Sequence, residues 1–456
     1  MTRRPQQSAP LACLVALLVG GFSPELAAQA VARPGVLLGG GDAPAKVDPT
    51  LDPLLPTGAR VQTQPRPPKP SLSYCGLHEP VCVHAASGVS SELAQRYLEA
   101  LEDARARLVG ALGLPAPLHD HEGPSSGLDF YLLPDAPSPF AVVADPRWLA
   151  TDRTSGHCRA RPAPEEVRRQ ASLCVAEAIL LGLDAAEAPH LRRAIAGYLW
   201  NASGGASNAD WLAIDDWQSN PQLALAGREV ARDSTGAALF LRYLDRRLGA
   251  NRLGNLPAAL VQMSRVDTPA DRTLWINEPD SIDVLRRSFA DSPESFDDFL
   301  LNFAVARAFL GSRDNGHHDP ALLWLGDAGR VRFDWNIKAS SLPRNLAPRR
   351  AIEPFGSTYL WLELDRVTPG ATLAFQANWE APAVFRWTLV AVDAFGNALK
   401  RYDLPYVQQA TSAERTLVDH DGAVAFLIVG ISVAGVDLAH PFDPDHEPFE
   451  PHGYTV

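Results

Sequence analysis

Residues 175–184, VAEAILLGLD, form an apolar stretch in which Glu177 is the only charged side chain before Asp184. The preceding residues, PAPEEVRRQASLC (162–174), open with two prolines and two acidic residues, which are typical of the first turn of a helix. The sequence therefore predicts a long buried helix. A second helix is predicted at APHLRRAIAGYLWNASGG (188–205), ended by Gly204 and Gly205.

The residues before these helices predict a smaller α and β region. SSELAQRYLEALEDARARLVGALGL (90–114) has apolar residues at helical spacing behind a Ser cap, so it predicts an amphipathic helix. GLDFYLLPDA (127–136) and FAVVADP (140–146) predict strands, and YCGLHEPVCVHA (74–85) predicts a small hairpin or loop. Cys158 is expected in a loop after the strands.

The second half of the chain changes from helical to β patterns. Helices are dense from about residue 160 to 312, including DSTGAALFLRYLDRRLG (233–249) and SPESFDDFLLNFAVARAFLG (292–311). From about 351 to 456, short alternating runs such as STYLWLELD (357–365) are separated by turn residues, which predicts an antiparallel β-sandwich. The expected fold class is α+β.

The first residues have the pattern of an export signal. Arg3 and Arg4 precede LACLVALLVGGF (11–22), which is shorter than the ~20 residues of a membrane span, and Ala28 and Ala30 form an A-x-A cleavage pattern. Residues 1–30 therefore predict a signal peptide, and 31–72 a Pro- and Gly-rich disordered linker. We expect a bacterial protein that is secreted or periplasmic, with no membrane span after signal removal.

Charge and cysteine content agree with that compartment. The 456-residue chain has a formal net charge of −12, which argues against nucleic acid as a partner. Apart from Cys13 in the signal, an even set of cysteines remains: Cys75, Cys82, Cys158 and Cys174. Sequential disulfides are the expected pairing, although the sequence allows three connectivities and a four-thiolate zinc site is the rival interpretation.

The order of these elements resembles the zincin fold of secreted gluzincin-type zinc metallopeptidases. In that family the long helix carries H-E-x-x-H, whose histidines bind zinc and whose glutamate is the general base, and a following helix supplies a third ligand in E-G-x-A-x-Y. AEAIL matches the first motif only at Glu177, with Ala176 and Leu180 at the histidine positions. RAIAGYL places Arg193 at the position of the third ligand.

The resemblance implies a degenerate metallopeptidase-like domain over 73–350, followed by the β-sandwich over 351–456. It implies no metal, no cofactor and no confident catalytic residue, with Glu177 as a vestigial candidate and Ala176, Leu180 and Arg193 as vestigial metal positions. A buried carboxylate without zinc needs a partner, and Arg193 is the natural one. The expected function is a catalytically inactive protein that binds a peptide, another protein or a cell-surface polymer.

Two alternatives from other classes stay open. One is an active hydrolase with a rearranged site built from loop histidines, namely His119 and His121 in HDHEGP and His317 and His318 in DNGHHDP. The other is a structural or adhesive envelope protein that acts through its β-sandwich. Tyr198 and Trp200 are expected either to pack a core or to line a groove with Trp211 and Trp217, and the acidic DPDHEPFEP (443–451) is expected to be a solvated tail.

Overall fold

A computed structural model describes residues 66–67, 70–120, 122–148, 153–185, 187–225, 234–248, 281–290, 292–310, 329–367, 370–381, 383–407, 410–418, 422–433 and 452–456. Several predicted features lie outside these residues: the signal peptide, nearly all of the linker, the acidic tail, and the side chains of His121, His317 and His318. The described part of the chain is a mixed α and β structure with seven α-helices and three sheets.

The first sheet is formed early in the chain by five strands. They are β1 Leu72–Cys75, β2 Val81–Ala85, β3 Leu128–Leu132, β4 Phe140–Trp148 and β5 Thr154–Ala160. Their order is β1-β2-β3-β5-β4, with a parallel centre of β2, β3 and β5. The two edge strands, β1 and β4, are antiparallel to their neighbours.

The two faces of this sheet differ in chemistry. Val83, Phe130 and Cys158 lie on one face and belong to the main hydrophobic core. Because side chains alternate along a strand, His84 and Asp129 lie on the opposite face. Buried polar residues therefore gather on the face that does not carry the core.

The helices cover the apolar face and extend the core. Their bounds are α1 Ser91–Arg105, α2 Val167–Leu181, α3 Pro189–Ala202, α4 Asn208–Ser219, α5 Ala238–Leu248, α6 Ser281–Ser288 and α7 Phe296–Ala308. A π-helical turn, Ala106–Ala111, continues α1. Ser90 caps α1 by accepting a hydrogen bond from the Leu93 amide, as the Ser at its start predicts. In α2 only Arg168 is exposed, which agrees with the buried helix expected there.

The C-terminal half forms two further sheets. Their strands are β6 Trp335–Lys338, β7 Ser357–Glu363, β8 Leu373–Trp379, β9 Val384–Val392, β10 Ala398–Asp403, β11 Ser412–Leu417, β12 Ala425–Val433 and β13 Tyr454–Thr455. Five of them are ordered β10-β9-β12-β7-β6, and the other three β11-β8-β13. Side chains from both sheets, including Phe375 and Trp387, share one hydrophobic cluster.

The opposite face of the five-stranded C-terminal sheet packs on the helical region. Val429 of β12 and Val390 of β9 belong to the same core as the helices, and the Tyr359 hydroxyl donates a 2.8 Å hydrogen bond to the Ala304 carbonyl of α7. The helical and C-terminal regions thus share buried apolar surface.

Three elements differ from the sequence expectations. Cys158 lies in strand β5 and not in a loop, because TSGHCRA gains its β conformation from pairing with β3 and β4 despite its glycine and polar residues. Strand β6 pairs in parallel with β7, so the C-terminal sheets are not purely antiparallel. Helix α4 was not predicted, and at its start the Asp210 carboxylate accepts a 2.8 Å hydrogen bond from the Ser207 amide.

Both expected disulfides are present. Cys75 is bonded to Cys82 across the β1–β2 hairpin, and Cys158 of β5 is bonded to Cys174 of α2. These bonds are typical of a protein from an oxidising compartment. Among the residues that the structure describes, no helix combines the length and the apolar character needed to cross a membrane.

Candidate functional site

Helix α2 carries Ala176, Glu177 and Leu180, for which the resemblance to zinc metallopeptidases implies vestigial metal and catalytic positions. Ala176 and Leu180 are 0% and 4% exposed and are part of the main hydrophobic core. Glu177, between them, is 2% exposed. The helix therefore buries a carboxylate in an apolar setting, where an unpaired charge costs several kcal/mol.

Arg193 of α3 supplies the partner of that carboxylate. Its Nε contacts Glu177 Oε1 in an ion pair, and the Arg192 Nε lies 4.0 Å from Glu177 Oε2. The Arg193 guanidinium also lies 5.0 Å from the centroid of the Phe140 ring, on the edge strand β4. One arginine thus connects the long helix, the following helix and the edge strand.

The residues at these positions do not fit a zinc ion. Alanine and leucine have no donor atoms, and the cationic Arg193 repels a metal cation and occupies the Glu177 carboxylate. The three-ligand set that catalytic zinc requires cannot be assembled from Ala176, Leu180 and Arg193. At this place the structure offers one carboxylate paired with Arg193, with Arg192 next to it, at the side of an edge strand.

The remaining sequence candidates divide between loop and core. His119 is exposed, with Nδ1 3.4 Å from the Ser126 carbonyl oxygen, and the other three loop histidines lie outside the described residues. Tyr198 and Trp200 are 0% and 5% exposed and belong to the hydrophobic core. Their polar ends have partners: the Tyr198 hydroxyl donates to Asp245 at 2.5 Å and Trp200 Nε1 to Asp210 at 2.9 Å. They pack a core and do not line an open groove.

A buried polar network on the first sheet was not expected from the sequence. Arg66, from the end of the linker, donates hydrogen bonds to Asp129 of β3 at 2.7 Å and to both carboxylate oxygens of Asp145 of β4 at 2.8 Å. It also lies 2.5 Å from Asp120 Oδ2. The three aspartates are between 0% and 3% exposed, so one guanidinium serves three buried carboxylates.

The carboxylates of this network do not titrate alike. Burial is the largest cause that raises the pKa of Asp120, to about 7. Repulsion from the charges of Asp145 and Asp129 acts in the same direction, and the charge of Arg66 opposes both. Burial also acts to raise the pKa of Asp145, but hydrogen bonds from His157 and Ser155 and the charge of Arg66 outweigh it and hold that pKa below its usual value. Asp120 therefore changes charge near neutral pH, whereas Asp145 stays ionised there.

His157 is held in one tautomer by its neighbours. Burial lowers its pKa, so the ring is neutral. Arg159 Nε donates to His157 Nε2 at 3.1 Å, and Nδ1 lies 3.3 Å from Asp145 Oδ1. Because Nε2 accepts, Nδ1 carries the proton and donates it to Asp145.

A second histidine connects the network to the protein surface. His84 Nε2 lies 2.9 Å from Asp129 Oδ1, and His84 Nδ1 lies 2.9 Å from the hydroxyl oxygen of Ser73 on β1. His84 and Asp129 are 2% and 0% exposed, whereas Ser73 is exposed. A serine, a histidine and an aspartate are thus in line from solvent to interior.

Cys82, His84 and Asp129 also lie close enough for their ligand atoms to share a metal ion. Cys82 is bonded to Cys75, however, so its sulfur is not available as a thiolate. Two ligands are fewer than a protein zinc site requires. This group is better described as part of the hydrogen-bonded network.

The sequence contained a weak signal for this network. In VCVHA (81–85) and LDFYL (128–132) a His and an Asp occur within otherwise apolar strands, one residue out of phase with the core side chains. Polar residues at the second face of a buried strand predict a polar layer there. Register between strands, which brings His84 beside Asp129, is not visible in the sequence alone.

Comparisons with known proteins do not extend these observations. The chain matches no protein-family model, and a search of curated proteins finds no match either. The function is therefore argued from the residues and their geometry.

Proposed function

We propose that this chain is an exported, metallopeptidase-like protein that has lost zinc-dependent catalysis and binds an extended peptide beside the Glu177–Arg193 pair. The observation that carries the proposal is the pair itself: an arginine takes the carboxylate that would serve as general base, at the position where the third zinc ligand would lie. The apolar environment of Ala176 and Leu180 supports it, since both histidine positions have become core.

The order of elements around the pair supports the zincin-like part of the proposal. A mixed sheet has the antiparallel strand β4 at its edge, and helices α2 and α3 follow in the chain. Arg193 lies against Phe140 at the start of that strand. The long helix, the second helix and an edge strand thus meet at one place.

The position of strand β4 at the edge of its sheet supports an extended peptide as the ligand. It is the last strand in the order of its sheet, so among the described residues no strand pairs with its outer edge. An exposed edge offers backbone donors and acceptors that an extended peptide satisfies by adding as a further strand. The Arg193 and Glu177 side chains, 13% and 3% exposed, would lie beside such a peptide without cleaving it.

Metal binding tests the loss of catalysis. The purified protein, dialysed against zinc, is expected to retain close to no zinc. The variant A176H/L180H/R193E restores the three ligands and is expected to bind about one zinc per chain. Zinc bound by the wild type, or chelator-sensitive cleavage of casein by it, would refute the proposal. A folded triple variant that binds no zinc would refute the zincin-like geometry.

Hydrogen–deuterium exchange tests the peptide site. Addition of an unstructured casein peptide is expected to slow exchange of the amides of β4 and to leave those of α7 unchanged. Protection of another region instead, or of none at saturating peptide, would contradict binding at this edge. The same experiment is repeated with a cell-surface polysaccharide. If the polysaccharide slows exchange of the β4 amides and the peptide does not, the ligand is the polymer.

A second candidate function is supported by the C-terminal sheets. Among the residues whose burial the structure describes, six of the eight exposed large hydrophobic side chains lie there, namely Phe395, Leu399, Tyr406, Val407, Val418 and Val424. The first of these is 90% exposed. Exposed apolar residues in one region are typical of an interaction surface. An adhesive or structural envelope protein would use this region.

Surface variants separate the two candidates. F395S/V424S is expected to abolish retention at the cell surface if the protein is adhesive and to leave it unchanged if the peptide function holds. Deletion of residues 351–456 is a poorer test, because it uncovers the apolar residues that Val429 and Tyr359 contact on the helices.

A further inference from the structure

Three residues on adjacent strands form a hydrogen-bonded chain outside the Glu177 site. Ser73 of β1 and His84 of β2 are directly opposite in the antiparallel register, and Asp129 of β3 lies beside Cys82 in the parallel register. The Ser73 hydroxyl oxygen is 2.9 Å from His84 Nδ1, and His84 Nε2 is 2.9 Å from Asp129 Oδ1. Both distances are those of good hydrogen bonds.

The surroundings of Asp129 fix the tautomer of His84. Oδ2 accepts from Arg66 at 2.7 Å, and Oδ1 accepts from the Ser125 hydroxyl at 2.6 Å, so the carboxylate acts as an acceptor throughout. His84 Nε2 therefore carries the proton and donates it to Asp129. Nδ1 is left as an acceptor for the Ser73 hydroxyl, which is the arrangement that a general base needs.

The ring of His84 is held in place by packing. Its centroid lies 5.0 Å from that of Tyr131, and only 2% of the residue is exposed. Ser73 is exposed on the edge strand of the sheet. The nucleophile is thus open to solvent, whereas the base and the group that orients it are buried and ordered.

The backbone of Ser73 adds a donor at the same place. Gly76 donates its amide to the Val81 carbonyl at 2.8 Å, so that pair of residues is hydrogen-bonded across the hairpin. Hydrogen-bonded and non-hydrogen-bonded pairs alternate in an antiparallel ladder, which makes Ser73 and His84 a non-hydrogen-bonded pair. The Ser73 amide therefore points away from β2, where it can donate to an oxyanion formed at Ser73.

We propose that Ser73, His84 and Asp129 form a second, metal-independent site in which Ser73 is a nucleophile toward carboxylic esters. The class of substrate follows from the exposed position of Ser73, because an ester can reach it from solvent. Such an ester is either a small soluble molecule or an acyl group on the surface of a larger one. The site is independent of the function proposed for Glu177 and Arg193. It contains no residue of that pair.

The reaction has two balanced halves. In the first, the Ser73 hydroxyl oxygen bonds to the ester carbonyl carbon while its proton moves to His84 Nδ1. The bond between that carbon and the alkoxy oxygen then breaks, and the leaving alcohol takes the proton from His84. In the second half, water attacks the acyl-Ser73 ester, His84 takes its proton and returns it to the Ser73 oxygen, and a carboxylic acid leaves.

Covalent labelling tests the nucleophile directly. The full-length exported protein is treated with a fluorophosphonate, digested and analysed by mass spectrometry. The phosphonyl adduct is expected on Ser73, and prior unfolding in urea is expected to abolish labelling, because an isolated serine is not activated. Absence of any adduct on the folded protein, or an adduct on a different serine alone, would overturn the proposal.

Hydrolysis of p-nitrophenyl acetate tests the activity. S73A and H84A are each expected to lower kcat/KM by at least about 100-fold, the contribution typical of a positioned general base. S71A is the matched control, since Ser71 is exposed two residues earlier and its hydroxyl has no hydrogen bond to a histidine among the described residues. An S73A variant that folds and retains the wild-type rate would refute the site. If S73A does not fold, fluorophosphonate labelling of the wild-type protein decides whether Ser73 is the nucleophile.

Discussion

The guanidinium of Arg193 forms an ion pair with the carboxylate of Glu177, and the exposed fractions of the two side chains are 13% and 3%. Attraction between such charges roughly offsets the free energy of removing them from water. The pair is therefore worth little relative to two apolar residues. Loss of Arg193 alone leaves the buried Glu177 carboxylate with only the Arg192 guanidinium, whose Nε lies 4.0 Å from Glu177 Oε2.

Arg193→Met is consequently expected to lower the free energy of unfolding by about 3–5 kcal/mol, the range typical of one partner removed from a buried pair. The double variant E177M/R193M is expected to recover to within about 1 kcal/mol of the wild type, because the buried carboxylate is removed together with its partner. Arg192, which is 15% exposed, keeps its hydrogen bond to the Ala185 carbonyl in that variant. Urea unfolding followed by circular dichroism measures both values.

Arg168→Met provides the control for this cycle. Arg168 is the exposed residue of the same helix, so its loss is expected to change the free energy of unfolding by less than about 0.5 kcal/mol. A double variant that is as unstable as R193M would contradict the assignment of the pair as a replaceable ion pair.

Arg66 is expected to contribute more to the free energy of unfolding than its place at the end of the linker suggests. Arg66→Met leaves the carboxylates of Asp120, Asp129 and Asp145 buried without their shared cation. We expect a loss of about 3–5 kcal/mol at pH 7. The loss is expected to shrink as pH falls below about 7, the pKa of Asp120, because the neutral form of that carboxyl group no longer needs the cation.

The comparison for Arg66 is Arg107→Met. Arg107 pairs with Asp103 one helical turn away, and the two side chains are 38% and 49% exposed, so its removal is expected to cost less than about 1 kcal/mol. Equal effects of the two substitutions at pH 7 would show that the Arg66 contacts do not anchor the segment before β1.

Local sequence patterns predicted most elements of this fold. The apolar spacing of α1, the buried run of α2 and the alternating or β-rich strands β7 to β12 depend on side chains close in sequence, so local patterns were sufficient. Strand β5 was missed because Thr154–Ala160 contains Gly156 and polar residues. Its conformation depends on two neighbouring strands that are distant in sequence.

The candidate site divides in the same way. The contact between Glu177 and Arg193 was expected from their offsets in two helical motifs and from charge and burial, and the ion pair is present. The chain of Ser73, His84 and Asp129 was not found. Its members lie on three strands, with a sequence separation of 11 between Ser73 and His84 and of 45 between His84 and Asp129, and only strand register brings them together.

Asp120 is expected to make stability depend on pH in a direction opposite to most carboxylates. Its pKa rises to about 7 on folding, chiefly through burial, so the folded state binds a proton that the unfolded chain releases near its ordinary pKa of 3.8. The stability that this proton contributes is fully present below the unfolded value and is lost as pH rises through about 7.

Asp120→Asn removes this dependence, because asparagine imitates the neutral acid at all pH values. The melting temperature of D120N relative to wild type is therefore expected to rise between pH 5 and pH 8. Scanning calorimetry at several pH values measures the difference. A constant or falling difference over that interval would show that Asp120 stays ionised in the fold.

The two disulfides are expected to differ in their access to reductant. Cys75 is exposed, whereas Cys158 and Cys174 are both 0% exposed between β5 and α2. Thiol–disulfide exchange requires a thiolate to reach a sulfur atom, so dithiothreitol should reduce Cys75–Cys82 first in the native protein. Timed alkylation with mass spectrometry follows each pair, and the same treatment in urea should reduce both at similar rates. Earlier reduction of Cys158–Cys174 in the native protein would show that β5 and α2 separate readily, and that the core between them is less stable than their packing indicates.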